Sequence, residues 1–231
     1  MTTGRTAMMC PAYHAIDNAE GGGHTGPAVL ARYSEARLPT PHGEFHVVVY
    51  RTGQPAAAGA TAVGLGPEEH VAMVLGDVRG ADVLARVHSS CFTGEVLGSL
   101  RCDCRAQLDA ALARIGREGR GVLVYLVQEG RGIGLGNKVR AYELQDAGKD
   151  TVEANLALGF DPDLRSYDLA AGILRDLGVA SVRLMTNNPA KQAGLERAGV
   201  RVAALESHWV GESEHNADYL SAKRSKLGHL P

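Results

Sequence analysis

The sequence predicts a three-layer α/β/α fold, a single domain on a mixed β-sheet, and three observations carry that reading. Val-rich runs of strand length alternate with segments of helical spacing over most of the chain. The first of these runs follow one another with no helical segment between them, which argues for an antiparallel portion beside a parallel one. The chain has 231 residues, 45% of them hydrophobic, which is enough to bury a full core.

In chain order, residues 1 to about 30 include Gly21-Gly-Gly-His-Thr-Gly and show neither strand nor helix periodicity, so a disordered tail is expected there. The folded domain is expected over residues 31–231, since no linker or low-complexity tract interrupts it. Phe45 to Arg51, His70 to Gly76 and Val83 to Ser89 read as strands. Leu108, Leu112 and Ile115 recur at helical spacing, and Gly119 closes that helix. Gly121 to Val127 is a continuous apolar run suited to a buried strand. Helices are expected over Ile133 to Gly148, Tyr167 to Leu177, and Pro189 to Ala198 with its proline in the first turn. Ser181 to Thr186 and Val200 to Leu205 complete the strands, and Asn216 to Leu227 forms a last helix.

A formal net charge of −2 gives no global attraction to nucleic acid, so an anionic substrate has to be met by local arginines and lysines. No apolar run reaches the roughly twenty residues that span a bilayer, and no signal-peptide pattern opens the chain, so a cytoplasmic protein away from membranes is expected. Three of the four cysteines cluster, which suits metal ligation in a reducing compartment better than a disulfide framework. Cys10 is left over in the tail.

The cluster is Cys91, Cys102 and Cys104. Soft anionic sulfurs suit Zn²⁺, and an ion held by only three protein ligands keeps a position for water, the arrangement of hydrolytic centres. The spacing alone leaves two alternatives open: a structural zinc with a fourth ligand elsewhere, or buried thiols. Cys102 and Cys104 share a face only in an extended or tightly turned segment. Further on, Glu129-Gly-Arg-Gly-Ile-Gly134 lies between a strand and a helix, where Glu129, Gly130 and Arg131 either receive phosphate at a helix N-terminus or simply make a tight reversal.

The segments RVHSSCFTGEVLGSLRCDCRAQL, YLVQEGRGIGLGNKVRAYELQD, DTVEANLALGFDPDLRSYDLAAGIL and LMTNNPAKQAGLERAGV follow one another in the order and spacing of GTP cyclohydrolase II. The chain resembles that family, the zinc enzymes that open riboflavin biosynthesis, from about Tyr33 to His229. The resemblance implies one zinc per chain on Cys91, Cys102 and Cys104, and Mg²⁺ accompanying the nucleotide. It implies that GTP is bound by Arg86, Val87, His88, Ser89, Ser90, Gln107, Glu129, Gly130, Arg131, Thr151, Thr186 and Lys191. Tyr142, Asp163 and Arg165 match catalytic positions, Asp163 as proton acceptor and Arg165 as a group that attacks phosphorus. An arginine nucleophile is chemically demanding, so stabilisation of α-phosphate charge is the role we assign Arg165. The implied reaction opens the imidazole ring at C8 and releases formate and pyrophosphate. Its product is 2,5-diamino-6-ribosylamino-4(3H)-pyrimidinone 5′-phosphate, and a homodimer is expected on the same ground.

Taken singly, several of these residues have plainer explanations. Thr151 serves as a helix N-cap, Thr186-Asn-Asn-Pro as a cap and turn, Lys191 as a solvated helix residue and Tyr142 as a core aromatic. Three positions depart from the family pattern: Ser90 stands where glutamate is usual, Val127 where a base is usual and Ser166 where an acid is usual. Val127 is expected to remove a charge near the polyphosphate, and Ser166 to remove a partner that would orient Arg165. Besides the full reaction, this leaves a divergent paralogue that stops at the formylated pyrimidine or acts on another purine nucleotide, or a weakened nucleotide-binding protein with structural zinc.

Overall fold

A computed structural model of the chain describes residues 30–52, 69–161, 163–211, 213–214, 216–217, 221 and 228. The tail apart from Leu30, and most of the helix expected over Asn216 to Leu227, lie outside the described residues. Seven strands form one sheet: β1 (Leu30–Thr40), β2 (Gly43–Thr52), β3 (Glu69–Leu75), β4 (Val83–Ser89), β5 (Gly121–Leu126), β6 (Ser181–Met185) and β7 (Arg201–Glu206). The helices are α1 (Phe92–Glu95), α2 (Cys104–Glu118), α3 (Gly134–Asp146), α4 (Thr151–Ala157), α5 (Asp168–Asp176) and α6 (Pro189–Arg197).

The strands lie in the order β1-β2-β3-β5-β4-β6-β7. β1, β2, β3 and β5 pair antiparallel in sequence, whereas β5, β4, β6 and β7 run parallel. The sheet is therefore mixed, as the consecutive early strands imply. β1 is the strand that the sequence reading misses. Its side chains after Arg32 are largely exposed, so Tyr33-Ser-Glu-Ala-Arg lacks the apolar alternation that marks a half-buried strand, and pairing with β2 from Leu30↔Thr52 to Thr40↔Gly43 holds it instead.

Helices cover both faces. On one, α2 sets Ala111 and Ile115 against Phe45, Leu84, Leu123 and Met185. On the other, Ala170, Ala171, Ile173 and Leu174 of α5 and Leu195 of α6 pack with Val48, Tyr50, Val83, Val87, Val122, Val124 and Leu184. Alternate residues of each strand serve the two cores, in keeping with the two-residue period of a strand. β4 and β5 are almost wholly buried because they are covered on both sides. Even positions of β4 (Leu84, Arg86, His88) look to the α2 side, and Arg86 and His88 are polar side chains placed at the core's open end.

Local chemistry sets the helix ends. Gly119 closes α2 in the left-handed conformation with φ of 73°. Asn188 caps α6 through Ala190 N, with Pro189 at the first position. α4 is capped by Asp150, not Thr151: Asp150 accepts from Val152 N and Glu153 N while Glu153 accepts from Asp150 N, a reciprocal capping box. An aspartate one residue earlier outcompetes the threonine, which leaves Thr151 free to face the cleft.

Candidate active site

The carboxyl ends of β4, β5, β6 and β7 open into a cleft of about 800 Å³. From β4 the chain goes through α2 to β5 on one side, and then crosses to β6 on the other. Such a reversal leaves a crevice between diverging connections, where open parallel sheets bind ligands. The volume falls in the range of small-molecule sites, about 300–1,000 Å³.

At one end of the cleft the three cysteine sulfurs lie within 4.8 Å of one another. Cys91 follows β4, Cys102 ends the loop after α1, and Cys104 begins α2, so the turn at Asp103 brings the last two together. Asp103 is buried and accepts from Gln107 Nε2 at 2.6 Å. Cys91 Sγ and Cys102 Sγ are 3.6 Å apart. Thiolates ~2.3 Å from a tetrahedral ion would sit about 3.8 Å apart, so the spacing fits zinc. Gly94 supports the same reading. A methyl group there would come within 2.7 Å of Cys102 Sγ and 3.2 Å of Cys91 Sγ, so the turn needs glycine to let the sulfurs converge.

Around these sulfurs the contacts are polar. Lys138 Nζ lies 3.1 Å from Cys91 Sγ and 2.7 Å from Glu129 Oε1. Glu129 also accepts from Phe92 N at 2.6 Å and Gly130 N at 2.9 Å, so its carboxylate ties the glycine loop to the cysteine loop. Tyr142, one helical turn beyond Lys138, places its hydroxyl 3.3 Å from Thr93 Oγ1, which is 3.7 Å from Cys91 Sγ. Burial pushes the Tyr142 phenol above its ordinary pKa, so it stays protonated at neutral pH. Behind the sulfurs, His88 Nε2 meets Glu95 Oε1 at 2.8 Å and Tyr125 donates to Glu95 Oε2 at 2.6 Å. Burial, opposed by Glu95, lowers the His88 pKa to about 4, so the ring is neutral at neutral pH.

Basic groups gather along the rest of the cleft: seven arginines and lysines line it against two carboxylates, Glu129 and Asp150, although the whole chain is net negative. Arg86 is held by Met185 O at 2.7 Å and by Gln107 Oε1 at 2.5 Å. Burial lowers its pKa to about 10, which leaves it charged. Lys191 is buried and donates to Val87 O at 2.8 Å. Gly130 and Arg131 both adopt left-handed dihedrals, with φ of 61° and 59°. A non-glycine residue in that conformation costs on the order of 1 kcal/mol, and it brings Arg131 to the cleft wall. Arg165 also lines the cleft, forked onto Asp163 at 2.8 and 2.5 Å. Burial would raise the Asp163 carboxyl, but the Arg165 fork holds it below the ordinary value.

Most of the expected residues therefore converge. Arg86, His88, Ser89, Ser90, Gln107, Glu129, Gly130, Arg131, Thr151, Thr186, Lys191, Tyr142 and Arg165 line the cleft with the three cysteines. Val87 and Asp163 do not line it: the Val87 side chain packs into the opposite core, and Asp163 stands behind Arg165. Val127 is 41% exposed and outside the cleft wall. Ser166 donates to Asp168 at 2.7 Å, and Asp163 is forked by Arg165. Sequence reading misses Lys138, Glu95, Asn187, His208 and Trp209. Lys138 was findable, because it lies four residues before Tyr142 on one helix and so shares its face. His208 lines the cleft from a loop after β7, where its spacing carries no signal.

Fold and site together define an α/β domain that joins a three-thiol cluster able to hold a metal ion to a cationic cleft of small-molecule size at one switch point. The chain belongs to the GTP cyclohydrolase II family, whose profile matches residues 31–206. It is 54% identical over 199 residues to a riboflavin biosynthesis protein RibBA of Salinispora arenicola, covering 85% of this chain and 45% of that one. Against the RibBA of Bacillus subtilis the identity is 52% over 204 residues, 87% of this chain and 48% of the relative. The chain thus spans about half the length of the curated relatives it matches. A solved structure of RibBX, a two-domain 3,4-dihydroxy-2-butanone 4-phosphate synthase from A. baumannii, matches at a TM-score of 0.35 and 22% identity over 68% of this chain and 34% of its own, too distant to bear on the site.

Proposed function

We propose that this chain hydrolyses GTP as a zinc-dependent GTP cyclohydrolase II, opening the guanine imidazole ring at C8. Formate and pyrophosphate leave, and the product is 2,5-diamino-6-ribosylamino-4(3H)-pyrimidinone 5′-phosphate. The observation that carries the reading is the three-thiol cradle at one end of a cleft whose other walls are cationic, in a chain of this family. Cys91, Cys102 and Cys104 would hold the zinc, which when bound supplies Lewis acidity and an acidified water for attack on carbon.

The chain's own groups have separable roles in this reading. Arg86, Arg131, Arg165 and Lys191 meet the phosphates, with Mg²⁺ accompanying the nucleotide. The Arg165 guanidinium is forked onto Asp163, which favours charge stabilisation at the α-phosphorus over nucleophilic attack. The Tyr142 phenol, close to the sulfurs through Thr93, is placed to donate a proton to the opening ring. Gln107 is oriented from both ends, accepting from Arg86 and donating to Asp103, and so presents a fixed amide to the base. A homodimer in the cytoplasm completes the proposal; no helix of the described residues is long and apolar enough to cross a membrane.

A second reading, release of the formylated pyrimidine, is favoured by one departure that lies in the cleft: Ser90, next to Cys91, offers a hydroxyl where the family has a carboxylate. Incubating the purified chain with GTP and Mg²⁺ and resolving products by mass separates the two. The deformylated pyrimidine with stoichiometric formate supports the full reaction, a product heavier by one formyl group supports the second, and unchanged GTP refutes both.

A further inference from the structure

We propose that Lys138 is a positioning residue for the metal centre: locked by Glu129, its ammonium donates a hydrogen bond to Cys91 Sγ and withdraws electron density from that one thiolate. The inference rests on the reading of the three cysteines as metal ligands.

Three observations carry it. Lys138 Nζ is 3.1 Å from Cys91 Sγ, within reach of an N–H···S hydrogen bond, and 2.7 Å from Glu129 Oε1. The two side chains are 13% and 12% exposed, so this is not a solvated surface pair whose partners trade freely with water. Glu129 is fixed in turn by Phe92 N and Gly130 N, which leaves its carboxylate no other place to hold the lysine. The ammonium is thus aimed at the sulfur by a clamp built from two loops and one helix.

The charge count gives the clamp a purpose. Three thiolates against a divalent cation leave a centre with one net negative charge, and strong sulfur donation weakens the metal as a Lewis acid. A cation hydrogen-bonded to one sulfur offsets that charge. Groups outside the ligand set tune a metal in this way through the hydrogen bonds they give its ligands. A plain Lys–Glu bridge would need no sulfur contact, and a lysine serving only the phosphates would have no reason to be held against Cys91.

The test uses the full chain loaded with Co²⁺, whose thiolate-to-metal charge-transfer band reports sulfur donation directly. In Lys138→Met the band should move to longer wavelength, because the uncapped sulfur gives up its electrons more easily, while Lys138→Arg should keep the wild-type position. Lys138→Met combined with Glu129→Gln avoids stranding a buried carboxylate and should show the same shift, which guards against misfolding of the single variant. Superimposable bands in wild type and both Met variants would overturn the proposal, as would an Arg variant shifted as far as Met. An unmoved band with a raised KM for GTP would overturn it too, assigning the lysine to the phosphates. Absence of any thiolate–cobalt band from the wild-type chain would overturn the metal reading itself, and this inference with it.

Discussion

Gly94→Ala separates a metal cradle from a cluster of ordinary thiols. Gly94 is not in the left-handed region, so alanine is penalised there for space rather than for backbone strain. The new methyl would stand 2.7 Å from Cys102 Sγ, 3.2 Å from Cys91 Sγ and 3.5 Å from Cys104 Cβ. Restoring a contact of about 3.5 Å requires Cys102 Sγ to retreat by roughly 0.8 Å. Metal–ligand distances hold to about ±0.2 Å, so zinc cannot keep all three sulfurs without moving the backbone. Overpacking of this kind costs about 1–3 kcal/mol, and at ~1.4 kcal/mol per decade the zinc affinity should fall by about 5- to 150-fold.

The metal-free chain should suffer less, because a free thiol can rotate away from the methyl. Chelator competition gives the affinity, and melting with and without zinc gives the difference in stabilisation. Gly136→Ala is the control: it lies on α3 with nothing within 4 Å of the added carbon, and should leave zinc binding alone while strengthening the helix by up to about 1 kcal/mol. Wild-type zinc affinity in Gly94→Ala, or equal destabilisation with and without zinc, would refute the cradle.

Cys102→Ser should lose zinc and formate release yet still liberate pyrophosphate from GTP, whereas Arg165→Ala should lose both products if phosphorus chemistry comes first; the opposite pattern in a two-product assay reverses the assignments. The paired change Val127→Arg with Ser166→Asp should leave the KM for GTP within about twofold, since neither side chain lines the cleft and a phosphate contact would be worth at least about tenfold. A clear drop in KM would place these positions at the phosphates after all. His88 is buried neutral with its pKa lowered to about 4, so the unfolded chain, near 6.5, takes up the proton first. Its contribution is fully present above about pH 6.5 and is lost as pH falls toward about 4, so His88→Gln should flatten that limb of a urea-midpoint curve against pH.

Continuous apolar runs made the central strands legible, helical spacing of Leu108, Leu112 and Ile115 marked α2, and Pro189 marked the first turn of α6. β1 was not legible, since an edge strand with an exposed face is held by its backbone pairing, which leaves no pattern in side chains. The cysteines were legible as a group because they are near neighbours in sequence. Their lysine is legible only as a neighbour of Tyr142, four residues before it on α3, while its contact with Cys91, 47 residues earlier in the chain, needs the fold. Val127 and Ser166 show the opposite failure. Each sits next to a cleft residue in sequence, and in a strand end or a helix start the adjacent side chain points elsewhere.

The topology explains why the site draws on such distant parts of the chain. Had β6 been added beyond β5, the loops after β4 and β6 would have been separated by a strand. Instead the crossover returns β6 to the other side of β4, so Arg86 in the middle of β4 reaches Met185 O at the end of β6, 99 residues later, and Lys191 of α6 reaches Val87 O. Those two bonds run from cations at nearly complete burial to backbone carbonyls, and they fix the charges that face the cleft. The same strand continues into Cys91, which places the sulfur cradle a few residues from the cationic wall. A single strand thus couples the two ends of the cleft.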